Sequence, residues 1–241
     1  MSSETVVEPR NAEVHHGHRD VAGGWLRPAV FGAMDGLVSN VALIAAIAGA
    51  GASRHVVLLA GLAGLLAGAF SMAVGEWTSV QSQAELVHAE IAKERRELKR
   101  RPAAEQAELA ALFQARGVSR ELAVQVAREL SRDPESLWRI HVREELGVDP
   151  DNMASPYVAA FSSLMSFAAG ALIPLLPYIA GAHVFWPTLI VAAVDLVALG
   201  AAVARFTDRP WWVGATRQLA LGAAAAGITY GVGSAFGVGL S

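Results

Sequence analysis

The chain has 241 residues, of which 54% are hydrophobic and 17% charged, and its mean hydropathy is +0.39. This composition is too apolar for an ordinary soluble domain and is typical of a membrane protein. Because the chain has no cysteine, disulfides, thiolate metal sites and cysteine nucleophiles are excluded. The net charge of −3 is less informative than its distribution, since 26 of the 41 Asp, Glu, Lys and Arg residues lie between residues 85 and 151.

Five segments with few or no charged residues are long enough to cross a membrane, because a bilayer core of about 30 Å requires about 20 helical residues. The first two are predicted at residues 28–51 and 55–80. Residues 154–204 contain no lysine or arginine and are too long for one crossing, so the segment YIAGAHVF at 178–185 is the predicted break between spans three and four. The fifth span is predicted at residues 218–240. The expected fold is therefore an all-α membrane protein with five transmembrane helices.

Basic residues are distributed asymmetrically about these spans. Three arginines precede span one, twelve lysines and arginines lie in the charged segment, and three arginines lie between spans four and five, whereas only Arg54 lies elsewhere. The positive-inside rule therefore predicts that the N-terminus, the charged segment and the loop before span five are cytoplasmic, with the C-terminus outside. Residues 1–24 are expected to be a polar, flexible tail, whose HHGH segment at 15–18 could bind a metal loosely but is more simply read as disordered.

The charged segment is predicted to be helical throughout. Residues 81–101 contain no Gly or Pro, so the second span is expected to continue into the cytoplasm as one helix. Pro102 is predicted to begin a helix that ends at Gly117, Ser119 to cap the next helix, and Pro134 to begin another. The chain is thus divided into a tail, two transmembrane helices, a cytoplasmic helical domain and three further transmembrane helices, with boundaries at 1–24, 25–81, 82–152 and 153–241.

Some small residues and prolines concern the shape and packing of the spans. Pro174 and Pro177 are predicted to kink or break span three. Glycine pairs four residues apart allow close approach of helices. These pairs are Gly64 and Gly68, Gly227 and Gly231, and Gly233 and Gly237.

Acidic residues form three clusters on the successive helices of the charged segment. The clusters are Glu90, Glu94 and Glu97, then Glu105 and Glu108, and finally Glu144 and Glu145 following His141. Like charges four residues apart repel each other, which costs stability unless a cation lies over them. Taken singly, each glutamate is more simply a solvated surface residue. Taken together, the clusters are similar to the ligand supply of metal sites in helical bundles.

Three carboxylates are predicted at membrane depth, namely Asp35, Glu76 and Asp195. Each costs at least a few kcal/mol there, so each suggests a function or a partner. Asp35 shares its helix with Asn40, and Met72 lies one turn before Glu76. A carboxylate, an amide oxygen and a thioether on neighbouring helices could coordinate a divalent transition metal, and the thioether favours Fe²⁺ over Mg²⁺ or Ca²⁺. The alternatives are that Met72 fills a gap in the core and that Asp195 forms a helix–helix hydrogen bond.

Five motifs occur in an order that resembles the vacuolar iron transporter family, including its bacterial members. They are DGLVSNVALIAAIAGA in span one, GAFSMAVGEWTSVQSQAE at the end of span two, AEIAKERREL and VREELGVDP in the charged segment, and SFAAGALIPLLPY in span three. The resemblance covers nearly all of the chain from Trp25 onward. It implies a homodimer of five-span protomers in a bacterial inner membrane. Fe²⁺, and often Mn²⁺, would leave the cytosol in exchange for protons, along a path between the two copies.

The resemblance also implies roles for individual residues. Asp35 and Met72 match the membrane metal path of the family. His141 falls where some members have a methionine, and is a substituted ligand of the cytoplasmic metal site. Plant-type members have a glutamate about two turns before the methionine, where this chain has Gly64; Glu76 matches a bacterial motif and could supply the missing carboxylate. The glutamates that match the cytoplasmic site are Glu94, Glu97, Glu105, Glu108 and Glu145.

The hypothesis from the sequence is a proton-coupled iron and manganese exporter rather than an enzyme, with metal ions, protons, lipid and a second copy as partners and no nucleic acid. A membrane-anchored iron buffer or sensor that moves no metal is the first alternative. A di-iron ferroxidase is ranked last, because the charged segment lacks the two Glu-x-x-His pairs of such sites; its only His-x-x-Glu, from His141 to Glu144, runs in reverse order.

Overall fold

The computed structural model of this chain describes residues 24–145, 147–207 and 209–237. The side chains of Ser136 and Phe206 are not described. Apart from Gly24, the predicted tail at residues 1–24 lies outside the described residues, and so does its HHGH segment.

The described residues form α-helices and a 3₁₀ turn, with no β-strand among them. Two of the helices, α6 and α7, are separated by the 3₁₀ turn at Ile173–Leu175 and together form span three. The α-helices in chain order are α1 Leu26–Gly49, α2 Arg54–Arg100, α3 Pro102–Ala115, α4 Arg120–Leu130, α5 Pro134–Glu145, α6 Pro156–Leu172, α7 Leu176–Ile179, α8 Trp186–Phe206 and α9 Trp211–Gly237.

Five helical segments of the described chain are long and apolar enough to cross a membrane, which confirms the predicted number of spans. The last of them begins at Trp211, seven residues before the predicted start at Gln218. The prediction was wrong there because it started the span only after the charged residue Arg217. Arginine is tolerated near the end of a membrane helix, since its long side chain can reach the polar headgroups. The five segments are Leu26–Gly49, Arg54–Arg100, Pro156–Ile179, Trp186–Arg205 and Trp211–Gly237.

The second helix is one continuous rod of 47 residues, as the absence of Gly and Pro from residues 81–101 predicted. At 1.5 Å per residue it is about 70 Å long, more than twice the thickness of a bilayer core. Its second half therefore extends beyond the membrane and packs against α3 and α5. We call residues 82–152, which include this half and α3–α5, the helical insert.

Span three is interrupted, as predicted from its two prolines, by a 3₁₀ turn that contains Pro174, whereas Pro177 is the second residue of α7. Pro174 and Pro177 lack the N–H groups that would bond to earlier carbonyls of a helix. The carbonyl oxygens of Ala171 and Pro174, three residues before them, accept hydrogen bonds from neighbouring helices instead. Asn40 Nδ2 donates to Ala171 O, and Thr188 Oγ1 donates to Pro174 O at 3.2 Å. The break is thus stabilised by side chains of α1 and α8, which leaves these two carbonyls satisfied in an apolar environment.

Helix α1 lies at the centre of the membrane bundle and packs against α2, α6, α8 and α9. Its approach to α6 requires glycine, because a Cβ atom at Gly36 would collide with the Phe167 backbone and one at Gly170 with the Ala33 backbone. Among the glycine pairs predicted from spacing, Gly233 meets the α1 backbone in the same way, whereas Gly227 has no atom within 4 Å of such a Cβ. The central position of α1 carries the side chain of Asp35 towards α2 and α6.

The helical insert has a small apolar core of its own. Leu109 and Ala110 of α3 pack there against Ala127 of α4. Ser119 occupies the N-cap position of α4, as predicted, but its side chain makes no capping hydrogen bond. Before α5, Asp133 Oδ1 accepts a hydrogen bond of 3.0 Å from the backbone N–H of Glu135. Local turn chemistry and the apolar core together direct α5 back against α2.

Candidate metal centres

A cavity of about 260 Å³ lies between α1, α2 and α6, at membrane depth. It brings together Asp35 of α1 and Met72 of α2, the two residues that the sequence assigned to a membrane metal path. Asp35 is the tenth residue of α1, so it lies about 14 Å along that helix, near the middle of a bilayer core. The residues that line the cavity are Asp35, Ser39, Asn40, Leu43, Gly64, Gly68, Ser71, Met72 and Phe167.

The amide oxygen of Asn40 is a hydrogen-bond acceptor in this cavity that has no donor to bind. Its Nδ2 is used by the carbonyl of Ala171, which orients the side chain. Its Oδ1 is buried and has no hydrogen-bond partner. The hydroxyl of Ser39 donates to the carbonyl of Asp35 at 2.5 Å, which leaves its oxygen lone pairs free. A buried amide oxygen with free lone pairs, near a carboxylate and a thioether, is a suitable ligand for a divalent cation.

The wall of this cavity also includes position 64, where the family resemblance places a glutamate in plant-type members and this chain has glycine. Gly64 lines it, and a Cβ atom there would meet Leu43 Cδ2 at 2.6 Å and Asn40 Oδ1 at 3.5 Å. Glu76, the suggested replacement, lies twelve residues further along α2, or about 18 Å. It is half-buried and is not part of the cavity lining in this single chain. The two positions therefore cannot supply the same ligand within one protomer.

Asp195 lies on α8 and does not line the cavity. Its Oδ2 is buried and has no hydrogen-bond partner among the described residues. The predicted helix–helix hydrogen bond is therefore not formed by this oxygen.

A second cavity, of about 390 Å³, lies in the helical insert between α2, α3 and α5. It brings together all five glutamates that the sequence assigned to a metal site. They share the cavity with one further glutamate and with two basic and two apolar residues. Its lining consists of Glu90, Lys93, Glu94, Glu97, Arg101, Ala104, Glu105, Glu108, Val142 and Glu145.

His141 of α5 is fully buried at the base of this cluster. Its Nδ1 lies 3.1 Å from Glu94 Oε1 and 3.0 Å from Glu145 Oε1. One Nδ1 proton can serve only one of these oxygens, and Glu94 Oε1 is left without a hydrogen bond. The other ring nitrogen, Nε2, is also buried and without a partner. An unsatisfied carboxylate oxygen that is buried beside an imidazole fits a cation better than a complete hydrogen-bond network.

Three side chains of the insert offer ligand atoms within 4.8 Å of one another, namely Glu94, Glu105 and His141. The surroundings raise the pKa of both carboxyl groups. Burial, followed by the negative charge of Glu145, raises the pKa of Glu94 from 4.5 to about 7, although His141 lowers it. Burial also raises the pKa of Glu105, and the charge of Glu108 adds to this effect. Such clustered acids need a proton or a metal ion to compensate their charge.

One acidic residue next to the candidate metal site is paired elsewhere. Glu144, adjacent to Glu145, pairs with Arg116 and is not part of the cavity lining. The α5 helix is held on α2 by Trp138, because the guanidinium of Arg95 lies 4.0 Å from the centre of its ring. The sequence carries no signal for this contact, nor for the place of Phe167 in the lining of the membrane cavity. An apolar or aromatic residue in a sequence does not reveal which helix it will contact, because that depends on the packing of the whole chain.

The chain is similar to known proteins over nearly its whole length. The sequence profile described as the VIT family matches residues 26–234. A vacuolar iron transporter of Acanthamoeba castellanii is 39% identical over 224 residues, which cover 90% of this chain and 81% of that protein. Vacuolar iron transporter 2 of Oryza sativa subsp. japonica is 30% identical, with 89% and 88% covered. Vacuolar iron transporter 1 of Arabidopsis thaliana is 30% identical, with 80% and 78% covered.

Proposed function

Because the chain belongs to the vacuolar iron transporter (VIT) family, whose members are transporters rather than enzymes, we propose that it exports Fe²⁺ and Mn²⁺ from the cytosol in exchange for protons. The observation that carries this proposal is the membrane cavity. It places the carboxylate of Asp35, the free amide oxygen of Asn40 and the thioether of Met72 around one space between α1, α2 and α6. The thioether among these ligands favours Fe²⁺ over Ca²⁺ or Mg²⁺, and the two oxygen ligands also suit Mn²⁺.

Capture of the metal is assigned to the cluster in the helical insert. Glu94, Glu105 and His141 would replace water around the ion, with the exposed Glu108 at the edge of the cavity. Since the pKa of Glu94 is about 7, this group is partly protonated near neutral pH, and a bound metal must expel that proton. Binding at the insert is therefore strongest when the solution around it is neutral or alkaline.

Proton exchange is assigned to the membrane cavity. A metal ion and a proton compete there for the carboxylate of Asp35, so each one displaces the other. Asn40 and Met72 carry no charge and would hold the metal only while Asp35 is ionised. Glu76 lies between the two metal centres along α2 and is proposed as an intermediate ligand. Competition at one carboxylate is sufficient to couple the two opposite flows.

A homodimer is proposed because the cavity lies at the surface of the single chain. Ser39 and Ser71, which line it, are exposed. The outer face of α2 beside them carries apolar side chains that are more than half exposed, among them Leu66 at 56% and Phe70 at 63%. A second copy would close the cavity and contribute a second set of ligands.

The decisive test is transport by purified protein in proteoliposomes with an imposed pH gradient. Fe²⁺, Mn²⁺, Zn²⁺ and Ca²⁺ are compared, and Fe²⁺ and Mn²⁺ are expected to move fastest. Asp35→Asn is expected to abolish both metal flux and the accompanying proton flux. Asp195→Asn is the matched control, because it also removes a membrane carboxylate but lies outside the cavity. Unchanged flux and pH dependence in Asp35→Asn would show that the assignment is wrong.

A membrane-anchored iron buffer or sensor is the second candidate function, and the buried cluster of the insert favours it. That cluster contains ligands enough to hold a metal without any contribution from the spans. Under this alternative, purified protein binds Fe²⁺ but moves none across the bilayer, and removal of the Glu94 carboxylate abolishes binding. The di-iron ferroxidase hypothesis is not retained, because the family consists of transporters.

A further inference from the structure

A basic cavity lies at the turn between α8 and α9, apart from both metal centres. Its volume is about 490 Å³. The turn is fixed by the backbone N–H of Arg209, which donates to Ala204 O at 3.0 Å. The cavity is lined by Ala204, Thr207, Arg209, Val213, Gly214 and Arg217.

The two arginines of this cavity are not neutralised by described side chains. None of the ion pairs within residues 24–145, 147–207 and 209–237 includes Arg209 or Arg217. In the sequence, residues 205–217 contain three arginines and one aspartate, which gives this segment a net charge of +2. The cavity therefore attracts anions.

Close helix packing forms the floor of the cavity. The backbones of Gly200 in α8 and Gly214 in α9 are in direct contact, and a Cβ atom on either would collide with the other. Thr207 Oγ1 donates to the carbonyl of Val203 at 3.2 Å, so its hydroxyl belongs to the end of α8. The two charged side chains of the lining, Arg209 and Arg217, are exposed.

The position of the cavity relative to the membrane follows from the chain path. Because successive spans alternate in direction, the α8–α9 turn lies on the same side of the membrane as the helical insert. Trp211 and Trp212 at the start of α9 are 61% and 57% exposed. Tryptophan is enriched where acyl chains meet headgroups, so these two side chains place the cavity at headgroup level.

We propose that this cavity binds the headgroup of an anionic phospholipid of the surrounding bilayer. Arg209 and Arg217 would donate to its phosphate oxygens, for which the guanidinium fork is well suited, while Trp211 and Trp212 lie along the upper part of the acyl chains. Basic pockets between membrane helices are typical sites for such headgroups, particularly on the cytoplasmic side. A soluble anion would not need the exposed tryptophans beside the charges.

The test is native mass spectrometry of the delipidated full-length protein in detergent. Phosphatidylglycerol and phosphatidylcholine are titrated separately, and phosphatidylglycerol is titrated again with excess inorganic phosphate. The variant Arg209→Gln/Arg217→Gln is compared with Arg120→Gln/Arg128→Gln, which removes two exposed arginines of α4 in the helical insert. Size-exclusion chromatography establishes that both variants remain folded.

The wild-type protein is expected to retain phosphatidylglycerol in preference to phosphatidylcholine. The Arg209→Gln/Arg217→Gln variant is expected to bind it more weakly by a factor on the order of ten or more, since each arginine near the headgroups contributes measurably. The control variant is expected to bind as the wild type does. Equal retention of both lipids, an equal loss in both variants, or full displacement by inorganic phosphate would each overturn the proposal.

Discussion

The carboxylate of Glu94 is expected to make metal binding by the helical insert depend on pH near neutrality. With a pKa of about 7, roughly 90% of this group is ionised at pH 8 and roughly 10% at pH 6. Because the metal binds the ionised form, its affinity is expected to fall about tenfold from pH 8 to pH 6 through Glu94 alone. Glu105, whose pKa is also raised, adds to this fall in the same direction.

The assay measures Mn²⁺ binding to the full-length protein in detergent by isothermal titration calorimetry at pH 6, 7 and 8. Every sample carries Asp35→Asn, so that the membrane cavity does not contribute. Glu94→Gln is expected to bind more weakly at pH 8 and to lose most of the pH dependence, whereas Glu121→Gln, on the exposed start of α4, is expected to keep both. An affinity equal at pH 6 and pH 8 in the protein with Glu94 intact would refute the reasoning. So would an unchanged pH dependence in Glu94→Gln.

Three further predictions concern the framework that holds these centres. Gly36→Ala is expected to destabilise the protein by about 1–3 kcal/mol, because the added methyl collides with the backbone of α6. Gly227→Ala is the control and is expected to be tolerated, because its methyl meets open space. The unfolding temperatures of the two variants in detergent are compared with that of the wild type. Arg54→Ala is expected to lower the unfolding temperature, because the arginine side chain donates hydrogen bonds of 2.7 and 3.3 Å to the last two carbonyls of α7. Arg54→Lys is expected to lower the unfolding temperature by less. Trp138→Leu is expected to weaken Mn²⁺ binding to the insert without affecting the membrane cavity, because it removes the ring that holds α5 on α2. Equal binding by Trp138→Leu and wild type would contradict that role.

The fold was largely predictable because its signals are local. Apolar length predicted the spans, and the absence of Gly and Pro predicted that α2 continues past the membrane. Pro174 and Pro177 predicted the break in span three, since a missing N–H acts on the same helix. The start of α9 was misplaced because the energetic cost of Arg217 depends on its depth in the bilayer. That depth cannot be obtained from a count of apolar residues.

The sites were less predictable because they depend on how helices face one another. The resemblance to a family paired Asp35 with Met72, and the structure places both in one cavity. No pattern in the sequence indicates that Asn40 Oδ1 and His141 Nε2 are buried without partners, since burial arises from residues far away in the chain. The role of Glu76 stays a prediction, because only a path between the two centres would define it.

The continuity of α2 means that it also sets an angular register between the two candidate metal centres. Met72 and Glu94 are 22 residues apart, which at about 100° per residue leaves them only about 40° apart around the helix axis and about 33 Å apart along it. Glu76 and Glu94 are 18 residues apart, or five full turns, so they lie on one line. One inserted residue would rotate the insert by about 100° relative to the membrane cavity, whereas seven would nearly restore the alignment. Changes in the length of this segment are therefore expected to be tolerated best when they come close to a whole number of turns, as seven or eleven residues do.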